Sequence, residues 1–410
     1  MKNDESPVPR LNAWVFHSLK ICYNLEMIYL DHAAGTPVLE KVFSAMEPYF
    51  LTDFFNPSAA YLPAKKIASD YEVAKGEIAH AIGAKAADLV ITSGATEANN
   101  LAFTALSDSG EILYLETEHD SVRNVAKNLD GKAIKVLKSG LIDLDDLKAK
   151  ITDKTEIISV AAVNNELGTI QPLSEISQII KEEKLRRMKK GERRQLLLHS
   201  DASQALNLLD LNVARMGVDL LTMNAAKVYG PKGVGALYVS HEAKLQPINR
   251  GGGQENGLRS GTENVPLVIG FAKAITEAKK HLNGNRKKYT EWKKAFLNEL
   301  TPKNHEFEMI LANKKRALDN FIVVSFPQID AERLIYLLEA EGVYLATGAA
   351  CAASKGQKSH VLMAIGLSDS EINGSLRITL GETNSLEQVK EAAKIIKNTV
   401  ISEIMRVKNG

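Results

Sequence analysis

Lys227 lies in Asn224-Ala225-Ala226-Lys227-Val228-Tyr229-Gly230-Pro231, between an apolar run at 218–223 and a Gly-Pro pair. Such a run reads as a buried strand and Gly-Pro as a tight turn. A lysine fixed between them is poorly hydrated, gives up its proton readily and forms imines with carbonyl compounds. A second apolar run, 195–199, ends in Asp201-Ala202-Ser203-Gln204. An imine-forming lysine and a carboxylate at neighbouring strand ends match what pyridoxal phosphate needs. The lysine holds the aldehyde, and the acid keeps the pyridine nitrogen protonated so that the ring takes up electrons. Singly, each residue is ordinary: a lysine after a strand is usually a solvated loop residue, and an aspartate there a turn former.

Other residues gain weight by converging on the same edge. Ser93-Gly94-Ala95-Thr96-Glu97 follows a strand-like run and opens a helical pattern. Small residues there leave backbone N–H groups for a phosphate, with Ala95 on the backbone and Thr96 adding a hydroxyl. His119, after the run 112–115, is placed to stack on a flat ring and shuttle protons, although a lone histidine there is more often a turn residue. Asn164 closes the run 157–163 and projects toward the same edge. The glycine-rich stretch 251–262 is either a surface loop or a carrier of Thr262 to a phosphate. Cys351 sits among Gly348, Ala349, Ala350, Ala352 and Ala353, with Lys355 and Lys358 nearby. A structural cysteine sits among large apolar neighbours. This one reads as a thiolate nucleophile on a swinging arm.

The elements that must position these residues alternate. Strand-like runs at 89–92, 112–115, 133–137, 157–163, 196–199, 220–223 and 236–239 are separated by helical patterns at 64–82, 97–106 and 175–188. That order predicts an α/β domain with a mostly parallel seven-stranded sheet and ligand sites at the carboxyl ends of its strands. Beyond about residue 265 the pattern changes. A helix at 266–281 leads into a charged one at 286–300, then strands at 321–326 and 376–380 and a last helix at 386–405, a smaller α+β domain. The organisation is therefore an N-terminal extension of unknown role (1–27), a segment joining the small domain (28–42), a large domain (43–282) and a small domain carrying the Cys351 loop (283–410). Met27 is an alternative start.

Bulk composition excludes much. The 410 residues are 45% hydrophobic and 25% charged, with a net charge of +1, an ordinary soluble balance that favours neither nucleic acid nor membrane. No apolar run reaches the roughly 18 residues of a membrane span. Two cysteines, Cys22 and Cys351, give neither a disulfide framework nor a zinc spacing, so no metal is expected and a reducing cytoplasm is the simplest compartment. Seven basic residues within 184–194 read as a solvated helix end, favourable to the helix dipole, rather than a docking patch for an acidic protein or tRNA.

Taken together, the chain resembles a cysteine desulfurase of the class V aminotransferase family. The stretches that carry the resemblance are YLDHAAGTP (29–37), SGATEANN (93–100), TEHDSV (117–122), VNNELG (163–168), DASQ (201–204), AAKVYGPKGVGALYV (225–239), GGGQE and RSGT (251–262), GAAC (348–351) and SLRITLG (375–381). They run in family order across nearly everything from residue 28 onward. The longer loop after Cys351 is similar to the group that feeds iron–sulfur cluster assembly and tRNA thiolation.

The resemblance implies fold type I and a pyridoxal phosphate cofactor. It implies that Lys227 holds the cofactor and later moves the substrate Cα proton. Asp201 pairs with the pyridine nitrogen, Gln204 with the ring oxygen, and His119 stacks on the ring as acid/base. Ala95, Thr96 and Asn224 hold the phosphate, with Thr262 reaching across from a second subunit of a homodimer. Arg377, helped by Asn56 and Asn164, clamps the carboxylate of L-cysteine with bidentate geometry. Cys351 attacks the substrate sulfur, alanine leaves, and a persulfide passes to an iron–sulfur scaffold or a tRNA thiolase. Two positions depart from the family pattern. Ala226 stands where a histidine normally contacts the phosphate, one charge-assisted hydrogen bond fewer, worth roughly 1.5–3 kcal/mol, with Asn224 as the compensating group. Ala59-Ala60-Tyr61-Leu62-Pro63-Ala64 replaces a histidine- and glycine-bearing substrate entrance. The competing readings are a related lyase, such as a selenocysteine lyase, and a degenerate scaffold for sulfur-transfer partners. Transamination needs no thiol, so Cys351 argues against an aminotransferase.

Overall fold

The computed structural model describes residues 27–302, 307–312, 316–348 and 358–409. Cys22, Cys351 and residues 1–26 lie outside them. In chain order the strands are β1 (Ile28–Tyr29), β2 (Leu89–Thr92), β3 (Glu111–Leu115), β4 (Lys132–Ile134), β5 (Thr155–Ser159), β6 (Leu197–Asp201), β7 (Leu220–Asn224), β8 (Gly235–Val239), β9 (Ile310–Leu311), β10 (Phe321–Ser325), β11 (Val343–Tyr344), β12 (Ala346–Thr347) and β13 (Ser375–Thr379).

The large sheet has the order β2-β8-β7-β6-β5-β3-β4. Its pairs are parallel except where β8 runs against β2 and β7. This is the expected seven-stranded, mostly parallel sheet. The strands are apolar almost throughout because both faces are covered. Alternation sends Leu113, Ile158, Leu198 and Leu221 into one hydrophobic cluster and Ile112, Ile157, Leu197 and Leu220 into the other. The second cluster is closed by Ala98, Leu101 and Phe103 from the helix Ala95–Phe103.

Two strands stop earlier than their apolar runs. The run 133–137 pairs only as Lys132–Ile134, because the N–H groups of Lys135 and Val136 go to the carboxylates of Asp146 and Glu116. The run 157–163 pairs with β3 only to Ser159, since Glu118 takes the Ala161 N–H at 2.6 Å, while the Ala162 N–H still reaches the Asp201 carbonyl at 2.9 Å. Asn164 therefore sits in a turn beyond β5 rather than at its end.

The two helices expected at 266–281 and 286–300 are one, Val265–Leu300. It runs unbroken past residue 282 because Asn285, a weak helix former, is buried and donates to Glu382 at 3.0 Å. This helix packs on the helix Leu62–Ala81 and on the last helix, Leu386–Asn409. A four-stranded antiparallel sheet, β12-β13-β10-β9, forms the C-terminal part, and β1 pairs in parallel with β11. Residues of both regions, Phe271, Phe321 and Ile378 among them, belong to one core. Among the described residues no helix is long and apolar enough to cross a membrane.

The basic run resolves into internal pairs. Arg187 is buried and donates to the carbonyls of Thr152 and Thr155, Arg194 pairs with Glu156, and Arg186 with Glu183 and Asp153. The solvated helix end is thus partly a clamp on β5.

Gly235 opens β8 directly against Gly94. A Cβ there would lie 2.7 Å from the Gly94 Cα and 2.6 Å from the Met223 carbonyl oxygen, both backbone atoms. Gly235→Ala should therefore destabilise the protein by about 1–3 kcal/mol, read as a lower denaturant midpoint at unchanged m-value. A midpoint equal to wild type would mean that the two backbones can separate freely.

Candidate active site

Asn224 ends β7, and its Oδ1 accepts the Ala226 N–H at 3.1 Å, turning the chain into a short 3-10 helix, Ala225–Lys227. The turn is fixed from outside by Thr36. Its hydroxyl donates to the Ala226 carbonyl at 3.0 Å and accepts the Tyr229 N–H at 2.8 Å. Tyr229 has φ +60°, a left-handed conformation unfavourable for an aromatic residue. Burial of its ring and the Glu382 N–H on its hydroxyl at 2.6 Å offset that strain. The half-buried Lys227 Nζ donates to the carbonyls of Ala33 at 2.8 Å and Ala34 at 2.6 Å. Gln204 Nε2 donates to the same Ala33 carbonyl at 2.9 Å, so the lysine and the glutamine meet at one oxygen.

Asp201, the last residue of β6, is buried. Its Oδ1 accepts the Ser203 N–H and its Oδ2 the Asn99 amide, both at 2.9 Å. Asn99 also donates to the Ser121 hydroxyl at 2.8 Å, and that hydroxyl lies 2.9 Å from His119 Nδ1. His119 caps the helix Asp120–Asn128 by accepting the Ser121 N–H. Behind Asp201, burial holds the His199 imidazole down at about 4, and burial together with the Asp201 charge pushes the Glu118 carboxyl well above the usual carboxylate range.

On the opposite wall, Arg377 of β13 meets the Asp31 carboxylate at 2.7 Å and the Asn165 carbonyl at 3.1 Å. Its buried Nε has no partner among the described residues. Glu166 lies nearby and accepts the Ser359 hydroxyl. Ser359 caps the helix His360–Ala364, and His360 Nε2 pairs with the Glu118 carbonyl at 2.9 Å. Gly348 donates its N–H to the Ser375 carbonyl at 2.8 Å. The described residues on both sides of the segment holding Cys351 are therefore tied down beside the site.

Thr96 and Ala95 begin their helix next to Gly94, whose neighbour Gly235 stands between Thr92 and Asn224 in the sheet register. Thr262 is exposed and lines a cavity of about 200 Å³ with Ser93 and Arg259. Asn56 lies exposed, and its Oδ1 accepts the Ser58 N–H. Asn164 is a turn former, its Oδ1 accepting the N–H groups of Glu166 and Leu167 and its Nδ2 donating to the Thr117 carbonyl. Sequence reasoning passed over Asp31, Asn99, Ser121 and Glu166, although all stand in the motifs quoted. A buried asparagine inside a helix, where it is intrinsically unfavourable, was the available signal for Asn99.

Comparison with known proteins gives a consistent picture. The model of the family described as aminotransferase class-V matches residues 28–391. A cysteine desulfurase, IscS 1, of Archaeoglobus fulgidus is 36% identical over 91% of this chain and 97% of its own. The mitosomal cysteine desulfurase of Encephalitozoon cuniculi is 34% identical over 93% and 87%. Among solved structures, a NifS-like protein superposes with a TM-score of 0.82 at 29% identity, covering 91% of this chain and 98% of that one. SspA in complex with cysteine gives 0.73 at 33%, covering 86% and 98%.

Burial pushes the Glu166 carboxyl up to about 7, against the Ser359 hydroxyl and the Arg377 guanidinium, which pull it down. An unfolded glutamate titrates near 4.3. The folded state thus holds this proton more tightly, so its contribution to stability is complete below about pH 4.3 and is lost as pH rises through about 7. Glu166→Gln should flatten the decline in stability between about pH 5 and 8, by up to about 3 kcal/mol at the alkaline end. Parallel stability–pH curves for the two proteins would contradict this.

Proposed function

The chain belongs to the class-V aminotransferase family, and on that premise we propose that it is a cysteine desulfurase dependent on pyridoxal phosphate. It removes sulfur from L-cysteine, releases alanine and keeps the sulfur as a persulfide on Cys351. The observation that carries the reading is the meeting of Lys227 and Gln204 at the Ala33 carbonyl, with Asp201 buried at the adjoining strand end.

The residues fit the cofactor. A flat ring between these groups would meet Asp201 at one edge and Gln204 at another, and the Gly94–Gly235 contact leaves backbone N–H groups at the start of the Ala95–Phe103 helix for a phosphate. When bound, pyridoxal phosphate supplies an electron sink that weakens the bonds around the substrate α-carbon. The chain's own residues do the rest. Lys227 Nζ moves the Cα proton, and Asp201 holds a proton on the ring nitrogen. Arg377, whose Nε has no partner among the described residues, would receive the substrate carboxylate, and His119 would stack on the ring. Thr96 and Asn224 hold the phosphate. The Cys351 thiolate takes the substrate sulfur, forming the S–S bond as the C–S bond breaks, and the electron pair left on carbon is protonated to give alanine.

The finer points belong to the same proposal. Four large apolar side chains close in sequence, Phe50, Leu51, Phe54 and Leu62, are exposed, which supports a homodimer interface with Thr262 serving the partner's cofactor. The persulfide acceptor is an iron–sulfur scaffold or a tRNA thiolase, and the compartment is the cytoplasm.

The deciding experiment measures alanine formed from L-cysteine with added cofactor and a thiol reductant. Wild type should turn over. Lys227→Ala should lose on the order of 10²–10⁴ in rate, and Cys351→Ser should fall to background. Equal turnover in wild type and Cys351→Ser would favour a lyase of another kind, and no turnover in any would favour the scaffold reading. Ala226→His should tighten cofactor binding by the roughly 1.5–3 kcal/mol of a charge-assisted hydrogen bond, read by titrating the apoprotein and following its visible absorbance. An unchanged affinity would place residue 226 away from the phosphate.

A further inference from the structure

The chain of hydrogen bonds between Asp201 and His119 has a fixed direction. A carboxylate only accepts, so the Asn99 group facing Asp201 Oδ2 is the amide NH₂, which orients the side chain. That orientation leaves Asn99 Oδ1 buried without a partner among the described residues, which the bond to the carboxylate must outweigh. The second hydrogen of the same NH₂ goes to the Ser121 oxygen at 2.8 Å. The Ser121 hydroxyl proton is thereby left for His119 Nδ1 at 2.9 Å. The Ser121 backbone N–H, which can only donate, reaches the same Nδ1 at 3.1 Å. Two donors therefore converge on one imidazole nitrogen, which must carry its lone pair there.

Resting on the desulfurase reading, we propose that Asn99 and Ser121 are positioning residues that hold His119 in the tautomer with the lone pair at Nδ1 and the proton at Nε2. In that form Nε2–H is the ring's hydrogen-bond donor, and Nδ1 keeps the Ser121 N–H as the cap of the helix Asp120–Asn128. Asn99 performs the matching task for Asp201: fully buried, it fixes one carboxylate oxygen while the Ser203 N–H fixes the other.

The test is ¹⁵N NMR of the apoprotein labelled with [¹⁵N]histidine, with His119→Gln assigning the His119 signals, alongside steady-state alanine production by the holoenzyme. Wild type should show Nδ1 unprotonated and Nε2 protonated as the single form. Ser121→Ala and Asn99→Ala should each mix in forms protonated at Nδ1 and lower kcat by roughly 2- to 10-fold at unchanged KM, the size of one neutral hydrogen bond. Ser121→Thr, which keeps the hydroxyl, should restore the wild-type tautomer. A wild-type Nδ1 that carries the proton overturns the proposal, and so does Ser121→Ala with the wild-type tautomer ratio. Absence of alanine from the wild type would sink the desulfurase reading instead, while the apoprotein spectrum still decides the tautomer.

Discussion

Six residues of the N-terminal segment, 31–36, hold both walls of the site. Asp31 pairs with Arg377, and the Ala33 N–H donates to the Thr379 hydroxyl, both on β13. The Ala33 carbonyl receives Lys227 and Gln204 from the large sheet, and Thr36 clamps the lysine turn. His32 is packed between, its Nδ1 on the Thr379 carbonyl at 3.0 Å and its Nε2 on the Thr383 hydroxyl at 3.0 Å. Burial holds that imidazole below its ordinary range, so it bonds as a neutral group. The strand β1 anchors the segment by pairing with β11. The distance between Lys227 and Arg377 is thus set by one short stretch of backbone rather than by the loops that bear them.

Around that clamp, buried charge is used for orientation. Glu255, in the glycine-rich loop, has a left-handed backbone at φ +50°, and Lys75, Tyr71 and the Ile91 N–H all converge on its carboxylate. The same loop is tied to the helix Ala95–Phe103 by Arg259 and Glu97, and Glu97 also receives the Ser93 N–H. Buried ion pairs of this kind contribute little net stability, because desolvation opposes the attraction, but losing one partner is costly. Their value lies in holding Ser93, Arg259 and Thr262 around a shared cavity.

Much of this was legible from the chain. Apolar runs set the strands, their alternation with helical patterns set the α/β class, and residues after each run were placed at one edge of the sheet. Lys227, Asp201 and His119 follow from that reasoning, because strand ends in a parallel sheet converge wherever the loops go. Asn164 and Asn56 were assigned to substrate binding by resemblance, and in this structure both spend their side-chain oxygens on local turns.

What the sequence by itself determined is where apolar surface must be buried and which reactive groups stand at its ends, since hydrophobic burial depends on residue type and spacing alone. Where each strand stops was decided only in three dimensions. Glu118, Glu116 and Asp146, from other segments, intercept N–H groups just beyond β5 and β4. The single helix Val265–Leu300 and the Asp201–Asn99–Ser121–His119 chain likewise rest on partners distant in sequence. A buried hydrogen bond needs its donor and acceptor within about 3 Å and aligned, and no periodicity in one segment encodes the position of another.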